Sequence, residues 1–176
     1  MANYVAGIRF GQLNLQGSMA ATMELPAIAT ELALDLVLLQ EPYVEKGCAN
    51  VVSGLLLPTG DCSEAAIYLG RKDVACSVRE DLCSSHCMVV HVCLTPPALS
   101  IYAVSAYFQY SHNIGPHLQH LGRVLEALRG QRVILGVDAN AHSPMWHSLP
   151  RHYIGRGSAV TQRREEMEAF IVSRGL

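Results

Sequence analysis

The chain has 176 residues, of which 50% are hydrophobic and 16% charged, with a formal net charge of −2. This composition excludes a disordered chain, and the length suits one domain with one core. No apolar run reaches the roughly 20 residues that cross a bilayer, and no basic stretch precedes an apolar one at the amino terminus. We therefore expect an intracellular protein with no membrane partner, and one that does not coat nucleic acid through bulk positive charge.

The first third of the chain predicts a strand, helix, strand unit. A strand is expected over residues 8–15, with Asn14 near its end, and Ser18 suits the cap of a helix reaching about residue 34. Pro26 falls within this helical pattern, so the helix is expected to be kinked or to begin late. A second strand follows over residues 36–40. Glycines and prolines then interrupt a short apolar run at 47–61, which indicates an irregular excursion with room for one strand.

The middle of the chain is rich in apolar and β-branched residues. These runs predict four strands, at residues 65–69, 74–78, 88–94 and 99–108. Their spacing along the chain favours an antiparallel meander over a second crossover unit.

Helical spacing returns in the last third of the chain. A helix is predicted over residues 116–129, where Pro116 suits the first turn and Gly130 the stop. A buried strand then leads to Asp138. The final helix is predicted over residues 161–173, capped by Thr161. Its apolar stripe consists of Met167, Phe170 and Ile171.

Two of the buried strands end on a carboxylate. The apolar run at 36–40 closes on Glu41, and the run at 133–137 closes on Asp138, with Asn140 two residues further. Ligands collect at the carboxyl ends of strands in open α/β sheets, so we expect Glu41 and Asp138 to converge on one site. If the backbone stays extended, Asp138 and Asn140 share a face and suit a divalent cation or a phosphate. The alternative is that each acid only caps a local turn.

Positive charge is concentrated just after the Asp138 strand. The basic cluster consists of Arg151, Arg156, Arg163 and Arg164, with His147 and His152 among them. A basic lip beside an acidic pocket suits a polyanion whose phosphate must reach a metal. A solvated loop and helix face is the alternative interpretation.

The chain contains six cysteines, which we expect to be free thiols because no secretion signal accompanies them. A possible zinc set comprises Cys83, His86, Cys87, His91 and Cys93. However, no C-x-x-C is present and the spacing fits no common structural zinc site. Alternation over residues 87–94 instead indicates a strand buried on both faces.

Several catalytic motifs are missing from the sequence. It contains no G-x-S-x-G elbow, Walker-type phosphate loop, H-E-x-x-H helix or G-x-G-x-x-G turn. Serine hydrolases, nucleotide switches and zinc proteases are therefore disfavoured.

Four segments, in this order, carry a resemblance to a known family. They are Asn14, LLQEPY at 38–43, SAYFQY at 105–110 and GVDANAHSPMW at 136–146. On these segments the chain resembles the endonuclease domain of insect-type non-LTR retrotransposons, within the endonuclease/exonuclease/phosphatase superfamily. The resemblance covers essentially all of the chain, and DANAHSPMWHS is its most specific part. It implies an α/β fold, a four-layer αββα sandwich of two mixed sheets, with residues 1–176 as a single domain.

The resemblance also implies an activity. It implies a metal-dependent endonuclease that nicks double-stranded target DNA, leaving a 3′ hydroxyl that primes reverse transcription. The expected cofactor is Mg²⁺ or Mn²⁺, a hard cation that takes oxygen ligands and stabilises charge on phosphate. The expected partner is a reverse transcriptase domain in a longer polyprotein, with action in the nucleus.

The family's functional residues match positions of this chain. Glu41 matches its metal-binding glutamate, and Asn14 matches the asparagine beside it. Tyr107 matches a tyrosine that contacts the scissile phosphate. Asp138 matches the aspartate that orients or activates the attacking water, and Asn140 the asparagine that helps to position it.

A further set of residues is expected to contact DNA. His142 and Trp146 belong to the retrotransposon form of the motif and are expected to shape the DNA surface, with a core position as the alternative for Trp146. Tyr110, Arg151 and Arg156 complete the expected DNA-binding set.

The chain departs from the family in two places. Many superfamily members carry an acid where this chain has Gln16, so metal binding is expected to rest more heavily on Glu41. The family continues through further strands to an Asp and a closing Asp-His pair that this sequence lacks, so we expect a sandwich incomplete at its C-terminus. A truncated product, a polyprotein fragment and a decayed element all fit this. Two other functions stay open: a non-catalytic remnant, and a phosphoesterase acting on a small molecule.

Overall fold

Two four-stranded sheets form the centre of the computed structural model, which describes residues 8–45, 52–58, 63–71, 74–94 and 99–176. The strands are β1 (Phe10–Asn14), β2 (Leu36–Gln40), β3 (Leu55–Leu56), β4 (Ala65–Leu69), β5 (Ala75–Val78), β6 (Cys87–Leu94), β7 (Leu99–Tyr107) and β8 (Val133–Asp138). The helices are α1 (Met19–Glu31), α2 (Ile114–Ala127) and α3 (Ser158–Arg174), with short 3₁₀ turns at Glu80–Leu82, Pro144–Trp146 and Pro150–His152. The predicted turn at 96–97 and part of the excursion at 47–61 lie outside the described residues.

Each sheet combines one parallel pair of strands with antiparallel pairs. The first sheet has the order β1-β2-β4-β3 and the second β5-β6-β7-β8. β1 runs parallel to β2 with Asn14 opposite Gln40, and β7 runs parallel to β8 with Tyr107 opposite Asp138. The carboxyl ends of both parallel pairs therefore carry the side chains that the sequence predicts for the site.

Three apolar clusters separate four layers. Alternation along β2 directs Val37 and Leu39 to the cluster with α1, and Leu36 and Leu38 to the cluster between the sheets. The third cluster packs the outer face of the second sheet, including Val89, against α2 and α3. Each such fully buried aliphatic side chain stabilises the fold by about 1.5–3 kcal/mol. The predicted αββα sandwich of two mixed sheets is confirmed.

The antiparallel meander is confirmed for β5, β6 and β7 and is wrong for β4. β4 pairs with β2 in the first sheet, with Ala65 opposite Gln40. Ala65, Ala66 and Ile67 are fully buried, which suits a strand between two neighbours and below a helix. Spacing along the chain cannot tell which of two facing sheets receives a strand.

Two helix starts differ in their agreement with prediction. Ser18 caps α1 as predicted, its side chain accepting from the backbone N–H of Ala21 at 3.2 Å, so the late start suggested by Pro26 is wrong. α3 begins at Ser158 rather than at Thr161. The Thr161 hydroxyl instead donates to the carbonyl of Gly157 at 3.2 Å, the backbone contact that competes with capping for this residue type.

A polar bridge and a glycine bring the two sheets together. The buried Gln40 side chain donates to Ser105 Oγ at 2.9 Å, and Ser105 donates to the carbonyl of Leu39 at 2.8 Å. A Cβ on Gly136 of β8 would stand 2.7 Å from Leu38 Cδ1, so a larger residue would force this buried leucine to shift. The bridge links the strand that precedes Glu41 to the strand that ends on Tyr107.

The described cysteines, Cys76, Cys83, Cys87 and Cys93, are free thiols as predicted. The zinc set considered from the sequence does not gather. His91 instead contacts Ser100 Oγ at 2.6 Å. Within the described residues, no helix is both long and apolar enough to span a bilayer.

Candidate active site

Glu41 and Asp138 meet at the amide of Asn14. Asn14 Nδ2 donates to Glu41 Oε1 and to Asp138 Oδ2, each at 2.7 Å, so the two carboxylate oxygens lie no further apart than twice that distance. The prediction that these acids converge is confirmed. It follows from the register, because Asn14 ends β1 beside the end of β2, and Asp138 ends β8 in the facing sheet.

The backbone of Glu41 adopts the left-handed conformation, with φ 48°. This conformation costs a non-glycine residue about 1–2 kcal/mol, so neighbouring contacts must hold it. The N–H of Glu41 donates to the carbonyl of Glu64 at 2.9 Å, and its carbonyl accepts from Gly17 at 2.8 Å. Both contacts fix the point at which the chain leaves β2 and presents its carboxylate.

Asp138 both converges with Glu41 and caps a local turn, so the two interpretations left open by the sequence both hold for it. Its Oδ1 accepts from the backbone N–H of Asn140 at 3.1 Å, an Asx turn, while Oδ2 contacts Asn14. Asn140 itself is left-handed, with φ 47°, so the premise of an extended backbone through this residue is wrong. Its side chain donates to the carbonyl of Phe108 at 3.3 Å. The turn thus returns Asn140 to the end of β7 beside the two carboxylates.

Tyr107 is buried between the residues of the site. Burial, then the hydrogen bond and negative charge of Glu41, raise the pKa of its hydroxyl to about 12. Asn140 acts in the opposite direction through a hydrogen bond, and the charge of Asp138 adds to the increase. The hydroxyl is therefore protonated at neutral pH and is a hydrogen-bond donor beside both carboxylates.

Arg163 was predicted to belong to the basic lip, and it lines the same cleft as His152 and Arg156, but as a buried residue rather than an exposed one. Its side chain is buried, with 7% exposure, and its guanidinium donates to four backbone carbonyls. The acceptors are those of Phe108, Gln109, His112 and Ala139. Arg163 therefore ties α3 to the segments that follow Tyr107 and Asp138. Its position four residues before Met167 was a sequence signal, since both then lie on one helix face.

Gln40 is a second functional contributor that sequence analysis did not identify. It is fully buried and holds the two sheets together through Ser105. Gln12 Nε2 donates to Gln40 Oε1 at 3.3 Å. A polar residue ending a fully buried strand was the available signal, because such a group requires partners.

The predicted DNA-binding residues divide between two surfaces. Tyr110, His142 and Arg156 line one cleft of about 620 Å³ with Asn140. Arg151 does not line that cleft, but its carbonyl accepts from the Arg156 guanidinium at 3.1 and 3.2 Å.

Trp146 lines a second groove that adjoins the first, since Asn140 and His142 line both. It is partly buried against the cluster beneath α2 and α3, and its indole N–H donates to the carbonyl of Ala141 at 3.2 Å. Asp138 lines this groove as well, together with Met167 and Ile171. The Trp146 ring therefore packs against the core, which was the alternative to its predicted role in shaping the DNA surface.

The side chains at the strand ends fit a hard divalent cation. Glu41 and Asp138 offer carboxylate oxygens, the ligands that Mg²⁺ and Mn²⁺ prefer. The Asn14 oxygen accepts from the backbone N–H of Gln16 at 2.8 Å, so in this orientation the amide presents its nitrogen to the acids. Rotation of the amide about its last side-chain bond would present the oxygen instead.

No family model matches the chain. It is 33% identical over 167 residues, 93% of its length, to the putative 115 kDa protein in type-1 retrotransposable element R1DM of Drosophila melanogaster, of which it covers 16%. It is 40% identical over 58 residues, 33% of its length, to the retrovirus-related Pol polyprotein from type-1 retrotransposable element R1 of Bradysia coprophila, of which it covers 6%. The chain thus spans a small part of both relatives.

Solved structures extend these similarities. The endonuclease domain of TRAS1, a telomere-specific non-LTR retrotransposon, matches with a TM-score of 0.77 and 28% identity, over 96% of this chain and 71% of that one. The AP endonuclease LMAP from Leishmania major matches with a TM-score of 0.67 over 95% of this chain and 66% of that one. At 14% identity this second similarity concerns the fold alone.

Proposed function

We propose that this chain, which is homologous to the endonuclease domains of non-LTR retrotransposons, is a metal-dependent endonuclease that nicks double-stranded DNA. The homology confirms the resemblance inferred from its motifs. The observation that carries the proposal is the meeting of Glu41 and Asp138 at the amide of Asn14. Its Pol relative supports a place in a longer polyprotein beside a reverse transcriptase domain, and action on chromosomal DNA would require the nucleus.

The proposed cofactor is Mg²⁺, with Mn²⁺ as a substitute. Glu41 would hold it, together with Asn14 once the amide oxygen faces the acids. When bound, the ion supplies positive charge that stabilises the developing charge on the phosphate. Gln16 stands at the position of a further acid in many relatives, so Glu41 is the principal charged ligand.

The remaining residues act on water and phosphate. The Asp138 carboxylate accepts a proton from the attacking water, while Asn140 positions that water. The protonated Tyr107 hydroxyl donates a hydrogen bond to a phosphate oxygen. The bond from phosphorus to the 3′ oxygen breaks, and that oxygen takes a proton from solvent. The products are a 3′ hydroxyl and a 5′ phosphate.

Nicking of supercoiled plasmid in the presence of Mg²⁺ tests this proposal. Asp138→Asn and Glu41→Gln keep the shape of each side chain but remove its charge, so each should lower the nicking rate by about 10²–10⁴-fold. The control is Glu31→Gln, an exposed acid at the end of α1, which should nick at the native rate. DNA polymerase should extend the nick without phosphatase treatment if the product carries a 3′ hydroxyl. Equal nicking by all variants, or no nicking by the native chain, would contradict the proposal.

Charge reversal in the cleft beside Asn140 tests whether the substrate is a DNA duplex rather than a small phosphoester. Reversal of charge in Arg156→Glu should weaken duplex binding about tenfold and reduce the salt dependence, because one phosphate contact is lost. Arg129→Glu is the control, since Arg129 is exposed and forms a surface ion pair with Glu126 of α2. Hydrolysis of a small phosphodiester should be unchanged in both variants. Duplex affinity unaffected by Arg156→Glu would show that this cleft does not hold DNA.

A further inference from the structure

Three histidines from separate parts of the chain gather beside the second sheet. His86 precedes β6, His112 lies between β7 and α2, and His117 is in the first turn of α2. One ring nitrogen of each lies within 4.8 Å of one from each of the others. The ring centroids of His86 lie 5.4 Å from His112 and 4.9 Å from His117. Among the residues that the structure describes, this is the one group of three or more His, Cys, Asp or Glu side chains close enough together to hold a metal ion.

The two ring nitrogens of His86 have different surroundings. Nδ1 contacts Ser85 Oγ at 2.8 Å, whereas Nε2 is buried and has no hydrogen-bond partner among the described residues. A buried polar atom without a partner is rare and requires an explanation such as an ion. Metal-ligating histidines commonly hold their second ring nitrogen in a hydrogen bond, as Ser85 does here. The nitrogen that His86 offers to a ligand is therefore Nε2.

Packing encloses two of these rings. Phe108 stacks on His117 with centroids 5.1 Å apart, and a cavity of about 170 Å³ lies between His86, His117 and Leu121.

We propose that His86, His112 and His117 bind a transition-metal ion of the zinc class, with water in the fourth position. Three imidazoles suit zinc in a tetrahedral arrangement, whereas Mg²⁺ requires oxygen ligands. The separations of the nitrogens require a small closing movement, and His112 is exposed and free to make it. The site differs in its donor chemistry from the carboxylates at the strand ends and does not rest on the proposed nuclease activity.

Such an ion would connect segments that also lie next to the candidate active site. The carbonyls of His112 and Phe108 both accept from Arg163, and the carbonyl of His86 accepts from the backbone N–H of Tyr107 at 2.9 Å. A cross-link from the turn before β6 to the start of α2 would therefore stiffen the segment after Tyr107.

Thermal unfolding of the chelator-treated, dialysed chain, in excess Mg²⁺, tests the proposal. Zn²⁺ at 100 times its dissociation constant should raise the Tm by about 5–10 °C, with one equivalent bound by calorimetry. His112→Asn and His117→Asn should lose this increase, and Ser85→Ala should weaken binding about tenfold. Co²⁺ should give visible absorption bands of a tetrahedral site in the native chain and not in these variants.

Two control variants keep the experiment specific. His91→Asn removes a histidine outside the cluster, and Glu41→Gln removes a carboxylate of the other site. Both should keep the increase with Zn²⁺. The proposal is overturned if the native chain shows no increase, if His112→Asn keeps it, or if Glu41→Gln abolishes it. His112 is exposed, so its variant should fold even if those of the other two histidines do not.

Discussion

Asn14 is the residue on which the geometry of the candidate active site depends. Its single amide donates to both carboxylates, which come from different sheets. In the absence of a cation, the like charges on Glu41 and Asp138 repel each other. The two hydrogen bonds from Asn14 offset part of this repulsion. The sequence indicated Asn14 by its position near a strand end and by the family resemblance, and the structure adds that it contacts both acids.

The hydroxyl of Tyr107 provides a prediction about pH. Because its pKa is raised to about 12, the group stays protonated, and so stays a donor, well above the ordinary tyrosine range. The ratio of the nicking rates of the native chain and Tyr107→Phe should therefore stay constant between about pH 8 and 10, a range over which an unperturbed tyrosine, with a pKa of about 10, would begin to lose its proton. Tyr107→Phe should lower the rate about 10–100-fold at every pH, since one donor to the phosphate is lost.

The pH profile of kcat/KM for both proteins gives the measurement. A decline centred near pH 10 that is present in the native chain and absent from Tyr107→Phe would contradict the raised pKa. An unchanged rate in Tyr107→Phe would instead remove the hydroxyl from the reaction.

Among the elements, α3 positions the site without contributing a reacting group. Its buried Arg163 donates to carbonyls that follow β7 and β8, the strands that end on Tyr107 and Asp138. A second contact links the same helix to the turn after β8, where the hydroxyl of the buried Ser143 donates to Glu168. The helix thus fixes the spacing of the two strand ends from outside the sheet.

Arg163→Lys should destabilise the chain by about 2–4 kcal/mol. A lysine cannot reproduce the planar fork of donors, so several buried carbonyls would lose their partners. Arg164→Lys is the matched control. Arg164 is partly exposed and its ion pairs, at 3.7 Å, contribute less than about 1 kcal/mol. Urea denaturation of both variants measures the difference, and equal free energies of unfolding would contradict the structural role of Arg163.

Sequence periodicity predicted nearly every element, because a helix or strand that is buried on one or two faces has a characteristic spacing of apolar residues. It failed where the outcome depends on partners far along the chain. β4 carries an apolar run that suits either sheet, and pairing with β2 decides its place. Thr161 suits a cap by residue type, yet the helix starts earlier and uses its hydroxyl internally. Arg163 and Gln40 escaped detection because their acceptors lie in other elements.

In the whole molecule, two sheets that face each other turn distant strand ends into neighbours. The Gln40 and Ser105 bridge holds β2 against β7, and Gly136 allows β8 to approach Leu38. The site therefore exists only in the assembled sandwich, since no single sheet contains both acids. This explains why acid-ended strands predicted that Glu41 and Asp138 converge, whereas the contact between the sheets became visible only in the structure.

The most direct test of a shared site is a double-mutant cycle on the rate of Mg²⁺-dependent plasmid nicking. Residues that act as one unit lose activity non-additively, whereas independent sites lose it multiplicatively. If Glu41→Gln and Asp138→Asn each lower the rate about 10³-fold, the double variant should lie within about tenfold of either single variant. A double variant whose loss equals the product of the two single losses would contradict a common site.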